Sequence, residues 1–229
     1  MFDPLKEYAL EELTNKGYKI DTPWDAVGLF ERKVAEYAGS KFAIAVDNCT
    51  DALFLCLKYL NCSENLLPIH IPKQTYVSVP MTIRNAGCQY IFKDIQWKGI
   101  YQLKPYRIYD GALRFTKNMY IQDSFQCLSF HRKKVLKLTK GGMILTNDAT
   151  AAEWFKTVRA AGRHPHKNIL YIDEEFTEMG WNMYLPPEYA ARGVLIFDQL
   201  PEFNEDAGGH DSYHDLTKQK ELRKHDGVC

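Results

Sequence analysis

Three places in the sequence carry residue types that could do chemistry. At Asn48-Cys49-Thr50-Asp51 a short apolar run gives way to a helical pattern. Free backbone amides at a helix N-terminus, with a hydroxyl such as that of Thr50 beside them, make a cradle for a phosphate. The same threonine could simply cap a buried helix, as most such residues do. The second place is Asp110, directly after the apolar run Tyr106 to Tyr109. A carboxylate at the C-terminal end of a strand in an open α/β sheet faces the ligand side and can hold a cationic ring nitrogen. Tyr109-Asp110-Gly111 is equally a common turn signal. The third is Ser129-Phe130-His131-Arg132-Lys133-Lys134, continuing through Lys137 and Lys140 to Gly141-Gly142. One of its lysines could be an imine-forming nucleophile, and the run as a whole could bind anions. Charge runs are more often solvated faces, and composition does not single out one lysine.

The elements needed to position these residues can be read from periodicity. Thr22-Pro23-Trp24-Asp25 starts a helix whose apolar positions Val27, Phe30, Val34, Tyr37 and Ala38 share one face and which stops at Gly39. Phe42 to Val46 reads as a strand, and Asp51 to Leu57 as a helix apolar almost all round. Leu66 to Ile71 and Cys88 to Ile95 read as strands flanking a helix from Val79 to Ala86. Tyr106 to Tyr109, Ser124 to Phe130 and Met143 to Leu145 form a strand-dense stretch without a good helix, so antiparallel members are possible there. Helices follow from Asp148 to Gly162 and from Pro187 to Leu200. This alternation predicts an α/β fold with a mixed, mostly parallel sheet flanked by helices on both faces. Residues 1–201 are expected to form one domain, and the polar segment 202–229 to be poorly ordered.

Composition narrows the class. The chain has 229 residues, 45% of them hydrophobic, which suffices for one domain with a substantial core. Its 29 basic and 29 acidic residues cancel, so no overall field favours nucleic acid, and the basic run at 131–140 lacks a recognised fold for that purpose. Six cysteines without a C-x-x-C pair suit reduced thiols in the cytoplasm, and no metal site is expected. His164 and His166 have no third partner for a metal and read as part of a solvated loop. The N-terminal stretch is too charged for a signal peptide, and no apolar run is long enough to span a membrane.

Five motifs in order, between Trp24 and Leu200, resemble the DegT/DnrJ type of nucleotide-sugar aminotransferase, a pyridoxal-phosphate family of the aspartate-aminotransferase fold. They are Phe30-Glu31-Arg32-Lys33-Val34-Ala35-Glu36-Tyr37-Ala38-Gly39; Ala43 through Leu53; Pro72-x-x-Thr75-Tyr76 with Asn85-Ala86-Gly87; Ser129-Phe130-x-x-x-Lys134 with Gly141-Gly142; and Gly180-x-Asn182 with Glu188-Tyr189-Ala190-Ala191 and Gln199-Leu200. The resemblance implies the large domain of such an enzyme and pyridoxal 5'-phosphate as cofactor. It also implies transfer of an amino group, with glutamate the expected donor, to a nucleotide-linked keto-sugar by a homodimer in the cytoplasm. Lys134 would be the Schiff-base lysine and proton carrier, Asp110 the partner of the pyridine nitrogen, and Tyr76 the aromatic over the ring. Thr50, Ser129 and the amides around Cys49 and Asp51 would hold the phosphate, and Asn182 would reach the phosphate in the neighbouring subunit.

The sequence also departs from the family. Cys49 stands where the family has glycine, Leu113 where it has glutamine or histidine, Lys140 where it has an acid and Tyr184 where it has arginine. Only fifteen residues separate Asp94 from Asp110, where the family places a strand and a crossover helix, and the small C-terminal domain is expected to be absent. Two functions therefore stand: the aminotransferase, and a non-catalytic family member that keeps the fold, with or without the cofactor, for binding or assembly.

Overall fold

The computed structural model describes residues 8–65, 67–163 and 176–227; His164 and His166 lie outside them. The first helix, α1 (Tyr8–Asn15), was not evident in the sequence and buries Ala9, Leu10 and Leu13. In α2 (Pro23–Ala38) the Asp25 carboxylate accepts from the Thr22 amide at 2.6 Å, and Gly39 ends the helix at φ 81°. Strand β1 (Phe42–Val46) then enters α3 (Cys49–Tyr59). The cap of α3 is Asn48, whose side-chain oxygen accepts from Asp51 N at 2.9 Å, and not Thr50 as the sequence suggested. After it come β2 (Ile69–Pro72), α4 (Ser78–Asn85), β3 (Tyr90–Lys93), β4 (Tyr101–Gln102) and β5 (Ile108–Asp110). The chain continues through β6 (Phe125–Ser129), β7 (Gly142–Thr146), α5 (Ala149–Val158), α6 (Pro187–Phe197) and α7 (Lys220–Arg223).

Alternate residues of the central strands pack into opposite layers. Ile44, Val46, Cys127 and Ile144 join α3, α4 and α5 in one core, whereas Ala43, Ala45, Met143 and Leu145 face α1, α2 and α6 in the other. Both faces are covered, which is why these strands are nearly continuous apolar runs. The α/β class is as expected, but the pair senses are not. The five-stranded sheet runs β1-β7-β6-β5-β4, and only its β5–β6 pair is parallel, while β1–β7, β6–β7 and β4–β5 are antiparallel. β2 and β3 form a separate parallel pair, tied to the larger sheet where His70 N donates to Lys104 O at 2.7 Å.

The short spacer accounts for part of this difference. A parallel crossover needs about a dozen or more residues, and the segment between Asp94 and Asp110 is too short to hold a strand, a covering helix and their turns. The chain folds back instead, placing Tyr101 opposite Asp110 in an antiparallel hairpin.

The segment beyond residue 201 also departs from expectation, since it is docked along its described length. Arg114 holds Asp206 through two contacts at 2.7 and 2.8 Å, and Leu216 N donates to Lys73 O. Tyr90 Oη donates to Leu222 O, and Gly227 N donates to Tyr90 O. Leu216 and Leu222 are buried. A low apolar content misled because the docking uses the exposed edge of β3, whose unpaired backbone groups need partners.

Candidate functional site

The C-terminal ends of β5 and β6, the N-terminus of α3 and the start of β7 converge on one place. Asp110 closes β5 and is buried, 5% exposed. Its carboxylate accepts from Tyr101 Oη at 2.8 Å, from Ala112 N at 3.0 Å and from Cys49 Sγ at 3.9 Å. An ionised carboxylate offers about four acceptor sites, so one remains for a further donor. Burial pushes the Asp110 carboxyl up, against the opposing pull of Ala112, Tyr101, Lys134 and Cys49. Tyr101 is held in turn by Thr75, 2.6 Å away. No local pattern marks this tyrosine, whose position follows from its register opposite Asp110.

Lys134 is the lysine of the basic run that reaches this place. Its loop is anchored by buried Phe130, Leu136 and Leu138, with Lys134 N donating to His131 O at 2.8 Å. Burial lowers the pKa of its amine, while the negative charge of Asp110 acts the other way. A lysine with depressed pKa has more free amine at neutral pH, as a nucleophile requires. Arg132, Lys133, Lys137 and Lys140 are exposed, and Lys140 pairs with Asp47 at 2.6 Å.

The turn into α3 has the makings of an anion cradle. Asn48 satisfies Asp51 N, and among the described residues no group accepts from the amides of Cys49 and Thr50. Gly142, paired with Ser129 across β6 and β7, approaches so closely that a Cβ there would lie 2.4 Å from the Asn48 carbonyl carbon. That contact brings Ser129 to the same turn. Thr50 Oγ1 lies 2.7 Å from Ser78 Oγ. The Cys49 sulfur is directed at Asp110, and burial pushes its thiol well up, so it is a neutral thiol at physiological pH. The donor set, the free acceptor site on Asp110 and the adjacent amine together fit a phosphorylated pyridine carrying an aldehyde.

Asp51 carries the pH dependence that follows most directly from this geometry. Its pKa is raised to about 6 by burial and then by the charge of Asp47. The folded state therefore holds this proton more tightly than the unfolded chain between pH 3.8 and about 6. Stability from this group is present below that window and is lost as pH rises through it. Asp51→Asn, which keeps the carbonyl facing Asn48, should flatten that part of the pH–stability profile in thermal melts. An unchanged slope would refute the assignment.

Tyr76 and Asn182 are the exposed members of the expected set. Tyr76 is 57% exposed at the rim, where its ring meets Tyr213. Asn182 is exposed, on a segment that bridges to Ala160 and whose next residue, Met183, accepts from Asp47 N at 2.8 Å.

Comparison with known proteins places this architecture. The aminotransferase PseC of Helicobacter pylori, described as involved in the biosynthesis of pseudoaminic acid, superposes with a TM-score of 0.65 at 17% identity over 87% of this chain and 64% of its own. The fold is thus that of the pyridoxal-phosphate-dependent aminotransferases. The profile of the DegT/DnrJ/EryC1/StrS aminotransferase family matches residues 6–119 and 116–210, and the chain belongs to that family. Pyridoxal 5'-phosphate is the family's cofactor. GDP-perosamine synthase of Caulobacter vibrioides is 23% identical over 80% of this chain and 60% of its own length. The spore coat polysaccharide biosynthesis protein SpsC of Bacillus subtilis is 34% identical over 37% of this chain and 23% of its own. The chain thus spans less than two thirds of the length of either relative. No helix among the described residues is long and apolar enough to cross a membrane.

Proposed function

We propose that the protein transfers an amino group, with glutamate as donor, to a nucleotide-linked keto-sugar by means of pyridoxal 5'-phosphate. It would act as a homodimer in the cytoplasm and serve polysaccharide biosynthesis. The observation that carries this reading is a buried carboxylate, Asp110, with a partly buried amine, Lys134, within its electrostatic reach beside the N-terminus of α3. A binding protein has no chemical need for that pair. When bound, the cofactor supplies an electron-withdrawing ring on which the substrate's carbon–hydrogen bond is weakened.

The chain's own groups supply the rest. The amides of Cys49 and Thr50, with the Thr50 and Ser129 hydroxyls, hold the phosphate. Asp110 keeps a proton on the ring nitrogen, and Tyr101, Ala112 and Cys49 favour its ionised form by donating to it. Lys134 takes the proton from the α-carbon of the donor and returns one to the acceptor. Tyr76 covers the ring from the rim. Exposed Tyr76, Val77 and Met81 give the rim an apolar surface suited to a second copy, from which Asn182 would reach the neighbouring phosphate.

One observation favours a second reading, in which the chain is a non-catalytic member that keeps the fold. Cys49 and Tyr101 already take up acceptor sites on Asp110. Absorbance decides between the two. The wild-type protein with pyridoxal phosphate should show the visible band of lysine-bound cofactor, and glutamate should convert it to a shorter-wavelength form. A band that glutamate does not change would mean cofactor retention without transfer, and no band would end both cofactor readings.

A further inference from the structure

The C-terminal segment brings to this pocket a residue that the aminotransferase reading does not use. An antiparallel bridge between Gln74 and Asp215 fixes the segment, Gln74 Nε2 donates to Tyr213 O at 3.2 Å, and Leu216 N donates to Lys73 O at 2.8 Å. His210 N donates to Trp97 O at 3.0 Å, and Trp97 Nε1 donates to Gln74 O at 2.9 Å. On this frame the Tyr213 ring stacks on Trp97, with centroids 5.8 Å apart and planes at 24°, and meets Tyr76 edge-on at 6.4 Å. Trp97 in turn packs on Tyr101, the tyrosine bonded to Asp110. An aromatic wall thus runs from the rim at Tyr76 to the floor at Asp110.

The Tyr213 hydroxyl makes no hydrogen bond to any described residue, although the ring is half-buried and lies within the electrostatic reach of Asp110, Cys49 and Tyr76. Burial and those neighbours push its pKa up to about 12, so at neutral pH it keeps its proton. Leu113, three residues beyond Asp110, is buried beneath the same segment, where Ala207 N donates to its carbonyl, and its side chain offers no polar atom. The segment therefore supplies a polar group on a side of the pocket where the strand supplies none.

We propose that Tyr213 is a cofactor-binding residue, its hydroxyl donating a hydrogen bond to a ring-borne oxygen of the pyridine held between Tyr76 and Asp110. This rests on the pyridoxal-phosphate reading above. It makes the C-terminal segment part of the site.

The test uses the full chain as wild type, Tyr213→Phe and Tyr213→Ala, titrated with pyridoxal phosphate by visible absorbance and by quenching of tryptophan fluorescence. Each protein is also melted without cofactor. Phenylalanine keeps the stack on Trp97, so its melting should match wild type while affinity falls about 3–10-fold, as for loss of one hydrogen bond. Alanine should weaken binding further. Affinity equal to wild type in Tyr213→Phe would overturn the proposal and leave the cofactor reading intact. Tighter binding by Tyr213→Ala would also overturn it, since the ring would then be occupying the ligand's place. A wild type that binds no pyridoxal phosphate would overturn both readings together.

Discussion

Lys134→Ala is expected to lose pyridoxal phosphate on dialysis, where wild type retains it, and to slow amino transfer by at least about 10²–10⁴-fold, the usual contribution of a positioned acid–base group. The expectation is specific to one lysine of a crowded run. Arg132, Lys133, Lys137 and Lys140 are exposed, whereas Lys134 is partly buried and feels the charge of Asp110. Lys133→Ala and Lys137→Ala should therefore behave as wild type. Because burial lowers the Lys134 pKa below its ordinary value of 10.5, capture of cofactor should rise with pH and level off before an ordinary lysine would. Reduction with borohydride, followed by peptide mass analysis, should place the retained cofactor on Lys134. Label on another lysine, or full retention by Lys134→Ala, would overturn the assignment.

The contrast between Lys134 and its neighbours also marks where sequence reasoning stops. Charge and spacing identified a basic run, the family resemblance chose a residue within it, and the packing of Phe130, Leu136 and Leu138 gives a physical reason for that choice. The central layers were legible because both faces of β1 and β7 are apolar and because Gly39 ends α2 where the periodicity ends. Strand sense was not, because it depends on the connections rather than on the residues of the strand. β4 contributes two residues and exists only through its pairing with β5, so no local pattern could reveal it.

The groups that complete the pocket were hidden for a related reason. Tyr101 and Tyr213 reach it from a short hairpin and from a polar segment, neither with a periodicity that points inward. Asn48 and Thr50 are both good capping residues, and only the backbone geometry decides that Asn48 takes the amide of Asp51. The direction of the Cys49 sulfur, toward Asp110 instead of across the cradle, is likewise a tertiary fact. It shows how a side chain can replace glycine at that turn.

Glu31→Ala should produce the largest loss of stability. β1 is an edge strand of the five-stranded sheet, and its outward groups at Ala45 are satisfied by two side chains 128 residues apart in sequence. Glu31 Oε1 accepts from Ala45 N at 2.8 Å, Arg159 Nη1 donates to Ala45 O at 2.5 Å, and the two side chains pair directly. Arg159 is 1% exposed, and its Nε and Nη2 have no hydrogen-bond partner among the described residues. Removing Glu31 leaves a buried cation without its counter-charge, and breaking such a pair costs about 3–5 kcal/mol. For a chain of this size that is about 6–20 °C in melting temperature. Replacing both residues by apolar ones of similar volume, Glu31→Leu with Arg159→Met, should cost much less than Glu31→Ala, because no charge is then stranded. If the double variant is as unstable as the single one, packing rather than charge pairing is the cause. The consequence should extend to the site, since β1 leads through Asp47 into the Asn48–Thr50 turn. Any Glu31→Ala protein that still folds should bind pyridoxal phosphate more weakly, although Glu31 touches no residue of the pocket.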